Sequence, residues 1–247
     1  MPNPLVSVVI PVFNGACFLP DAAASVQAQT YGQIEIIVVD DGSTDETVTV
    51  CQRLASSIHY LHQPNRGPAA ARNRGVRAAR GEYVAFLDVD DLWPREKLAI
   101  QARRLKNDPE LDVILGRIRY VTLDGAEPPG MQFEGTDNAL THVHLGSGLF
   151  RRSVFDIVGM FDESLRLSED HDWFLRAREK GIKIAILPEI TLIYRLHGSN
   201  LTRGMKLNQV GLLKVLKRSL DRRRLERGHA EPLPPWSAFD EKKGPRE

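Results

Sequence analysis

The sequence predicts an α/β protein with a mostly parallel central sheet and helices on both of its faces. Three observations carry that expectation. Short apolar runs rich in β-branched residues alternate with helix-period stretches through the first half of the chain. Two of the runs end in acidic clusters, Asp40-Asp41 and Asp88 to Asp91. The run at residues 83–87 (YVAFL) is apolar throughout, as a strand covered on both faces would be.

Taken in order, Val6–Val12 (VSVVIPV) reads as the first strand, and Phe18, Leu19, Ala22 and Val26 then recur at helical spacing. Residues 34–39 (IEIIVV) form a second strand. Residues 44–55 read as a helix with Val48, Cys51 and Leu54 or Ala55 on one face, and 58–61 as a short third strand. Residues 69–79 are helical, with Gly81 at the stop. A β-α-β-α rhythm implies a parallel sheet, and ligands bind such sheets at the carboxyl ends of the strands. The second half is less regular. Residues 94–105, 151–158 and 170–180 read as helices, and 112–122, 183–187 and 190–195 as strands. Asp124-Gly125 and Pro128-Pro129-Gly130 mark a turn or loop. Residues 205–227 read as a basic amphipathic helix, and the Pro-rich, charged stretch from Gly228 onward as a loosely held tail.

The 247 residues suit one sizeable core, and a net charge of +1 gives no global field for nucleic acid. Cys17 and Cys51 do not make a disulfide scaffold; they read as two buried thiols in a reducing, cytoplasmic compartment. The first residues lack a leader pattern, and no apolar run is long enough to span a bilayer. Peripheral attachment at the inner face of a membrane through residues 205–228 stays open.

The chemistry lies after the strands. Asp88, Asp90 and Asp91 crowd three carboxylates into four positions, which is tolerated when they are solvated or share a cation. Hard oxygen ligands suit Mg2+ or Mn2+, which keep positions open for substrate phosphates. A solvated helix cap is the alternative for this cluster alone. Asp40 and Asp41 could accept hydrogen bonds from a base or ribose, or could serve the cap made by Ser43 or Thr44. Arg66, Arg72 and Arg74 lie after the third strand, near a Gly-Pro turn.

Five segments stand in order: SVVIPVFN (7–14), VVDDGSTD (38–45), NRGPAAARNRG (65–75), GEYVAFLDVDD (81–91) and SEDHDWFLRAREKG (168–181). Together they closely resemble the family 2 inverting glycosyltransferases of the GT-A fold, over roughly residues 4–201. The resemblance implies a Rossmann-like GT-A domain over 1–204, with a nucleotide-binding half at about 4–91 and an acceptor-binding half at about 92–204. The helix at 205–228 and a flexible tail at 229–247 would follow it.

The resemblance also implies roles. Pro11 and Phe13 lie against the nucleotide base, with a core aromatic as the alternative for Phe13. Asp41, and then Asp40, recognises the base. Arg72, ahead of Arg74, contributes near the base and phosphates. Asp88-Val89-Asp90 matches the Asp-x-Asp element, and the expected order of metal contact is Asp90, Asp91, Asp88. His197, in a Tyr-Arg-x-His segment, is a candidate metal or diphosphate ligand, with Arg195 and Arg203 as further helpers. Asp170 is the general base, in the first turn of a helix whose dipole favours a carboxylate. His171 reads as surface, and Asp172 with Arg176 as an i, i+4 pair. Gly146-Ser147-Gly148 and residues 159–163 (GMFDE) fit the acceptor side.

The implied reaction is inverting, metal-dependent transfer from a nucleotide-diphospho-sugar to an acceptor hydroxyl, in cell-surface polysaccharide or glycoconjugate synthesis. UDP is the expected carrier, with GDP or dTDP open, and the acceptor is a glycan, a lipid-linked sugar or a protein. Two other classes compete. A nucleotidyltransferase needs a Gly-rich phosphate loop after the first strand, and Pro11-Val12-Phe13-Asn14-Gly15 does not supply one. A catalytically idle, transferase-like binding domain would act through the basic helix. From 203 to 227 nine Lys or Arg residues stand against Asp221 and Glu226.

Overall fold

The computed structural model describes residues 3–123, 139–140, 143–198, 200, 211–227 and 232–241. The expected turn at Asp124-Gly125 and Pro128-Pro129-Gly130, the segment with Arg203, and residues 228–231 and 242–247 lie outside the described residues. The first half alternates as the sequence predicts: β1 (Val6–Val12), α1 (Leu19–Gln27), β2 (Ile34–Asp40), α2 (Thr47–Arg53), β3 (His59–His62), α3 (Pro68–Ala78) and β4 (Tyr83–Phe86). The second half adds α4 (Lys97–Asn107), β5 (Val113–Thr122), β6 (Ala139–Leu140), β7 (Leu149–Arg151), α5 (Val154–Val158), α6 (Glu169–Glu179), β8 (Ile184–Leu196) and α7 (Leu212–Arg227).

All strands join one sheet in the order β3-β2-β1-β4-β7-β5-β6, with β8 paired to β5. β1 to β4 are parallel, β8 runs parallel to β5, and β7 is antiparallel to both β4 and β5. The chain moves outward from β1 to β3 and then crosses back to place β4 on the other side of β1. That reversal opens a crevice beyond the carboxyl ends of β1 and β4, where open α/β sheets bind ligands. Phe13 and the Asp88 loop both emerge there.

Alternation along β1 divides the core. Val8, Ile10 and Val12 pack with Leu19, Ala22 and Val26 of α1, Cys51 of α2 and Leu98 and Leu105 of α4. Val9, with Ile37, Val84 and Phe86, faces Ala71 and Val76 of α3 and Trp173 and Phe174 of α6. Gly75 lets α3 approach closely, because a Cβ there would sit 2.2 Å from Val9 Cγ1. This face is aromatic: Phe86, Phe150, Phe155, Phe161 and Trp173 meet at centroid separations of 5.1 to 6.1 Å.

Three details differ from the sequence reading. The two strands expected at 183–187 and 190–195 are one 13-residue strand. Pro188 falls where the β5–β8 register shifts, between the pairs Leu115↔Ile186 and Arg117↔Ile190, and a bulge tolerates the missing N–H. Gly116 opposes Thr191 across that shift, and a Cβ on Gly116 would lie 2.4 Å from Thr191 Cγ2. The helix expected over 151–158 is shortened to five residues, because Arg151 ends β7. Cys17 is exposed rather than buried, whereas Cys51 is buried and burial raises its thiol pKa to about 11. In the tail, Glu241 N–H donates to Ile186 O at 2.8 Å and Trp236 packs edge-on against Phe174.

Candidate active site

The loops after β1 and β2 are laced together. Asn14, with a left-handed φ of 51°, accepts at Oδ1 from Thr44 N–H at 2.7 Å and Asp45 N–H at 3.3 Å. Ser43 Oγ accepts from Asn14 N–H at 2.9 Å. Phe13, beside this knot, is 51% exposed, so it is not a core aromatic. Pro11 sits in β1 beyond the last β1–β4 pair, Val9↔Phe86, where its missing N–H removes no bond from that ladder.

Asp40 and Asp41 are both buried and both engaged. Asp40 accepts from Ser43 N–H and from the Tyr60 hydroxyl, each at 2.8 Å. Asp41 accepts from Gln63 Nε2 at 2.7 Å, Arg66 N–H at 2.9 Å and Gly67 N–H at 2.7 Å. It thereby holds the start of the loop leading into α3. A carboxylate offers about four acceptor positions, so Asp41 keeps capacity for one further donor.

The loop after β4 carries the acids. Asp91 is fully buried; its Oδ1 accepts from Arg195 N–H at 3.0 Å, and its Oδ2 has no partner. Burial, with Asp90 and Asp88 nearby, pushes its carboxyl pKa well up. Asp90 Oδ2 lies 3.1 Å from both His197 Nε2 and Asn200 Nδ2. Arg195, under the loop, donates from Nε to the Asp90 carbonyl and from Nη1 to Asp21 at 3.1 Å.

Arg72 does not reach outward to an open base pocket. It is buried and spans two segments, donating from Nη2 to Asp88 Oδ1 at 2.7 Å and from Nη1 to Glu169 Oε1. Burial opposes its charge, but Asp88, Glu169 and Asp170 outweigh that and raise its pKa. The same guanidinium lowers the Asp88 pKa against burial, with help from His144. Arg74 instead donates to the His62 carbonyl at 2.5 Å.

α6 is capped by Ser168, whose φ of 62° is left-handed. Its first turn presents Asp170, whose Oδ1 accepts from His171 N–H at 2.7 Å and meets His171 Nδ1 at 2.8 Å. Burial would raise the Asp170 pKa, but His171, His144 and Arg72 hold it well below the usual carboxylate range. His171 is correspondingly raised by that hydrogen bond, against burial. Asp172 pairs with Arg176 at 2.7 Å, the structural role its spacing predicts. Arg176 also donates to the Val158 and Met160 carbonyls, and Asn73 bonds Phe161 through both its N–H and its carbonyl, which anchors the GMFDE segment.

His144 is the residue the sequence reading missed. It precedes a 3-10 turn, Leu145–Ser147, whose carbonyls are gripped by buried side chains. Trp93 Nε1 donates to Gly146 O at 2.9 Å, Gln101 Nε2 and Thr191 Oγ1 to Ser147 O at 2.8 and 2.9 Å, and Lys97 Nζ to Gly148 O at 2.8 Å. Lys97 also lies 4.1 Å over the Trp93 ring, and burial lowers its pKa well below normal. The cradle fixes His144 with Nε2 3.6 Å from Asp88 Oδ2. Only an isolated His marked the position in the sequence, which is too little to single it out.

Residues 7–162 match the family described as Glycosyl transferase family 2. A glycosyltransferase of Rickettsia prowazekii is 34% identical over 222 residues, which is 84% of this chain and 69% of its own. The chain belongs to glycosyl transferase family 2. The Bacillus subtilis glycosyltransferase EpsJ is 31% identical over 81% of this chain and 63% of its own length. Among solved structures, Staphylococcus aureus TarS 1-349 in complex with UDP-GlcNAc superposes with a TM-score of 0.70 at 22% identity, covering 89% of this family 2 chain and 66% of TarS. The mannosyltransferase PcManGT of Pyrobaculum calidifontis, in complex with GDP-Man and Mn2+, gives 0.65 at 21% identity, covering 94% of this chain and 66% of its own. These two likenesses establish the GT-A fold. The family 2 match ends before Asp170 and His197, so their placement rests on the geometry of α6 and the end of β8.

The acids of this family 2 glycosyltransferase fit a divalent cation. A buried carboxylate oxygen with no partner, Asp91 Oδ2, is unfavourable unless a cation or proton meets it. Asp88, Asp91 and His144 bring one ligand-type atom each within 4.8 Å of one another. Asp90 groups with His197 instead, so the expected trio of Asp90, Asp91 and His197 is divided between two adjoining clusters. His144 fits a ligand role poorly. Its Nδ1 accepts from Gly146 N–H at 3.0 Å, so in the neutral ring the proton sits on Nε2 and points toward Asp88 as a donor.

Proposed function

We propose that this chain transfers a sugar from a nucleotide-diphospho-sugar, with UDP the expected carrier, to an acceptor hydroxyl with inversion at the anomeric carbon. The observation that carries the reading is the Arg72 bridge. One buried guanidinium ties Asp88, in the acidic loop, to Glu169, beside Asp170. It supports a site in which the group that handles the leaving diphosphate and the group that accepts a proton are set side by side. The complexes of TarS with UDP-GlcNAc and of PcManGT with GDP-Man and Mn2+ support a nucleotide-sugar donor and a metal.

In this reading residues 4–91 bind the nucleotide and 92–204 the acceptor. Phe13 stacks on the base beside Pro11, and Asp41 accepts from it, with Asp40 bracing the loop. Asp170 stays ionised at neutral pH and takes the proton from the acceptor hydroxyl as that oxygen attacks the anomeric carbon. Arg72 keeps Asp88 charged and aligned. His144 Nε2–H donates to a donor oxygen beside Asp88. Asp91 and Asp88, with Asp90 beside them on the same loop, would hold Mn2+ or Mg2+, which when bound would supply Lewis-acid neutralisation of the departing diphosphate, while His197 braces Asp90. Single displacement by an acceptor on the face opposite the leaving group gives inversion.

A panel of UDP-, GDP- and dTDP-sugars, assayed for transfer or hydrolysis with Mn2+, Mg2+ or EDTA, tests the reading. Turnover with one donor class, its loss in EDTA and an inverted anomer by NMR are expected. Asp170→Asn should keep donor binding and lose transfer. Pyrophosphate release from a nucleoside triphosphate would point to nucleotidyl transfer instead.

A further inference from the structure

Among its described residues α7 contributes no side chain to the site, and its outer face carries a pattern that the packing on α6 does not use. The inner side docks on α6. Val215 and Ser219 are buried, Ser219 Oγ donates to Glu179 at 2.5 Å, and Arg222 pairs with Glu179 at 2.8 Å and Asp172 at 3.2 Å. Arg218 pairs with Asp162 at 2.7 Å. These contacts fix the rotation of the helix about its axis.

On the opposite side Leu213, Leu216 and Leu220 are 65%, 42% and 38% exposed. Leu213, Lys217, Leu220 and Arg224 follow i, i+4, i+7, i+11, so they form one stripe at about 100° per residue. Leucines alternate with exposed cations along it, Leu216 and Arg223 flank it, and Lys214 is exposed on the other edge. Asp221 is the one acidic side chain exposed along the described length of the helix.

We propose that this stripe is a docking surface for an anionic lipid bilayer. The argument is charge complementarity combined with shape. Interleaved leucines and cations ask for an apolar phase and a layer of negative charge at the same depth, and an anionic headgroup–acyl boundary provides both. Lys217 and Arg224 can lay their aliphatic stems along the leucines while their heads reach phosphate oxygens. No helix among the described residues is long and apolar enough to cross a membrane, and the proposed contact runs along the surface of α7. Arg222 and Ser219 hold α6 on the inner side of α7, so the docked helix would lie between α6 and the bilayer.

Flotation of the full chain with vesicles of phosphatidylcholine alone, or of phosphatidylcholine with phosphatidylglycerol, tests this without any donor or acceptor. Its outcome is therefore independent of the transfer reading. The chain should float with the anionic vesicles only, and added salt should release it. The combined variant L213Q/L216Q/L220Q and the pair K217E/R224E should each lower partitioning by about tenfold or more, since one surface cation is worth about fivefold. Both should keep the parent melting temperature; if the leucine variant does not fold, the charge pair, at exposed positions, decides. Three results would overturn the proposal: no flotation with anionic vesicles, equal flotation with neutral ones, or unchanged flotation of the folded variants. A fourth is a dimer in sedimentation equilibrium that L213Q/L216Q/L220Q converts to monomer without any vesicle binding, which would make the face a contact between copies.

Discussion

Arg72 and Glu169 stand 97 residues apart in the chain and share a buried ion pair, while the other guanidinium nitrogen holds Asp88 at 2.7 Å. The bridge joins β4's loop to α6. Removing one partner of a buried pair leaves the rest uncompensated, so Arg72→Met should lower unfolding free energy by about 3–5 kcal/mol. Adding Glu169→Met should restore part of it, because one stranded charge then disappears. Urea unfolding of the two variants measures both effects; an unchanged midpoint for Arg72→Met would remove the bridge from the account.

Asp91 tests the cation site apart from turnover. Its folded pKa is raised, so its contribution to stability is full below the unfolded value of about 3.9 and is lost as pH rises through the folded one. At pH 7.5 in EDTA, Asp91→Asn should therefore be at least as stable as the parent. With Mn2+ and UDP the order should reverse, because only the parent gains a charged ligand for the cation. Melting temperatures across the four combinations read this directly. A parent that outlasts Asp91→Asn in EDTA would mean that the orphaned oxygen is satisfied in some other way.

The first half of the fold was legible because its strands are runs of four to seven residues, most of them apolar, bounded by turn signals, and its helices carry a clear stripe. β7 was not legible. Three residues, Leu149–Arg151, cannot display an alternation, and Arg151 read as helix because Val154 and Val158 lie at helical spacing just beyond it. β8 was split in two because Pro188 ordinarily ends a strand, and only the register shift against Gly116 shows how it is absorbed. In the site, the acidic residues were legible as strand-end clusters, but their commitments were not. That Asp40 braces Tyr60, or that Arg72 faces two carboxylates, depends on contacts 16 to 97 residues apart that no local pattern encodes.

Asp170 and His171 make a pH-dependent pair whose sign can be worked out. The Asp170 pKa is depressed, so its share of stability is present above the unfolded value of about 3.9 and is lost as pH falls through the folded one. The His171 pKa is raised, so its share is full below about 6.5 and is lost as pH rises through the folded value. The pair is thus worth most in mildly acidic solution. Asp170 is ionised across the neutral range, so the acid limb of kcat/KM should lie below pH 5. His171→Leu removes the hydrogen bond that does most to lower Asp170 and should move that limb up by about one unit. A pH–rate profile of His171→Leu that overlays the parent would show that Asp170 is not the group setting the limb.

His144 separates a hydrogen-bond donor from a metal ligand. Gly146 N–H occupies Nδ1, which leaves Nε2–H facing Asp88 at 3.6 Å. A ring nitrogen that carries a proton donates to an oxygen and has no lone pair left for a cation. His144→Leu should therefore leave Mn2+ affinity, read by electron paramagnetic resonance of the free ion, unchanged. It should raise donor KM by about tenfold, the loss of one hydrogen bond to a charged or strongly polar oxygen. His144→Gln, whose amide N–H can reach the same direction, should recover part of that loss. If instead Mn2+ binding weakens in both variants, Nε2 is a ligand and the tautomer assigned from Gly146 is wrong.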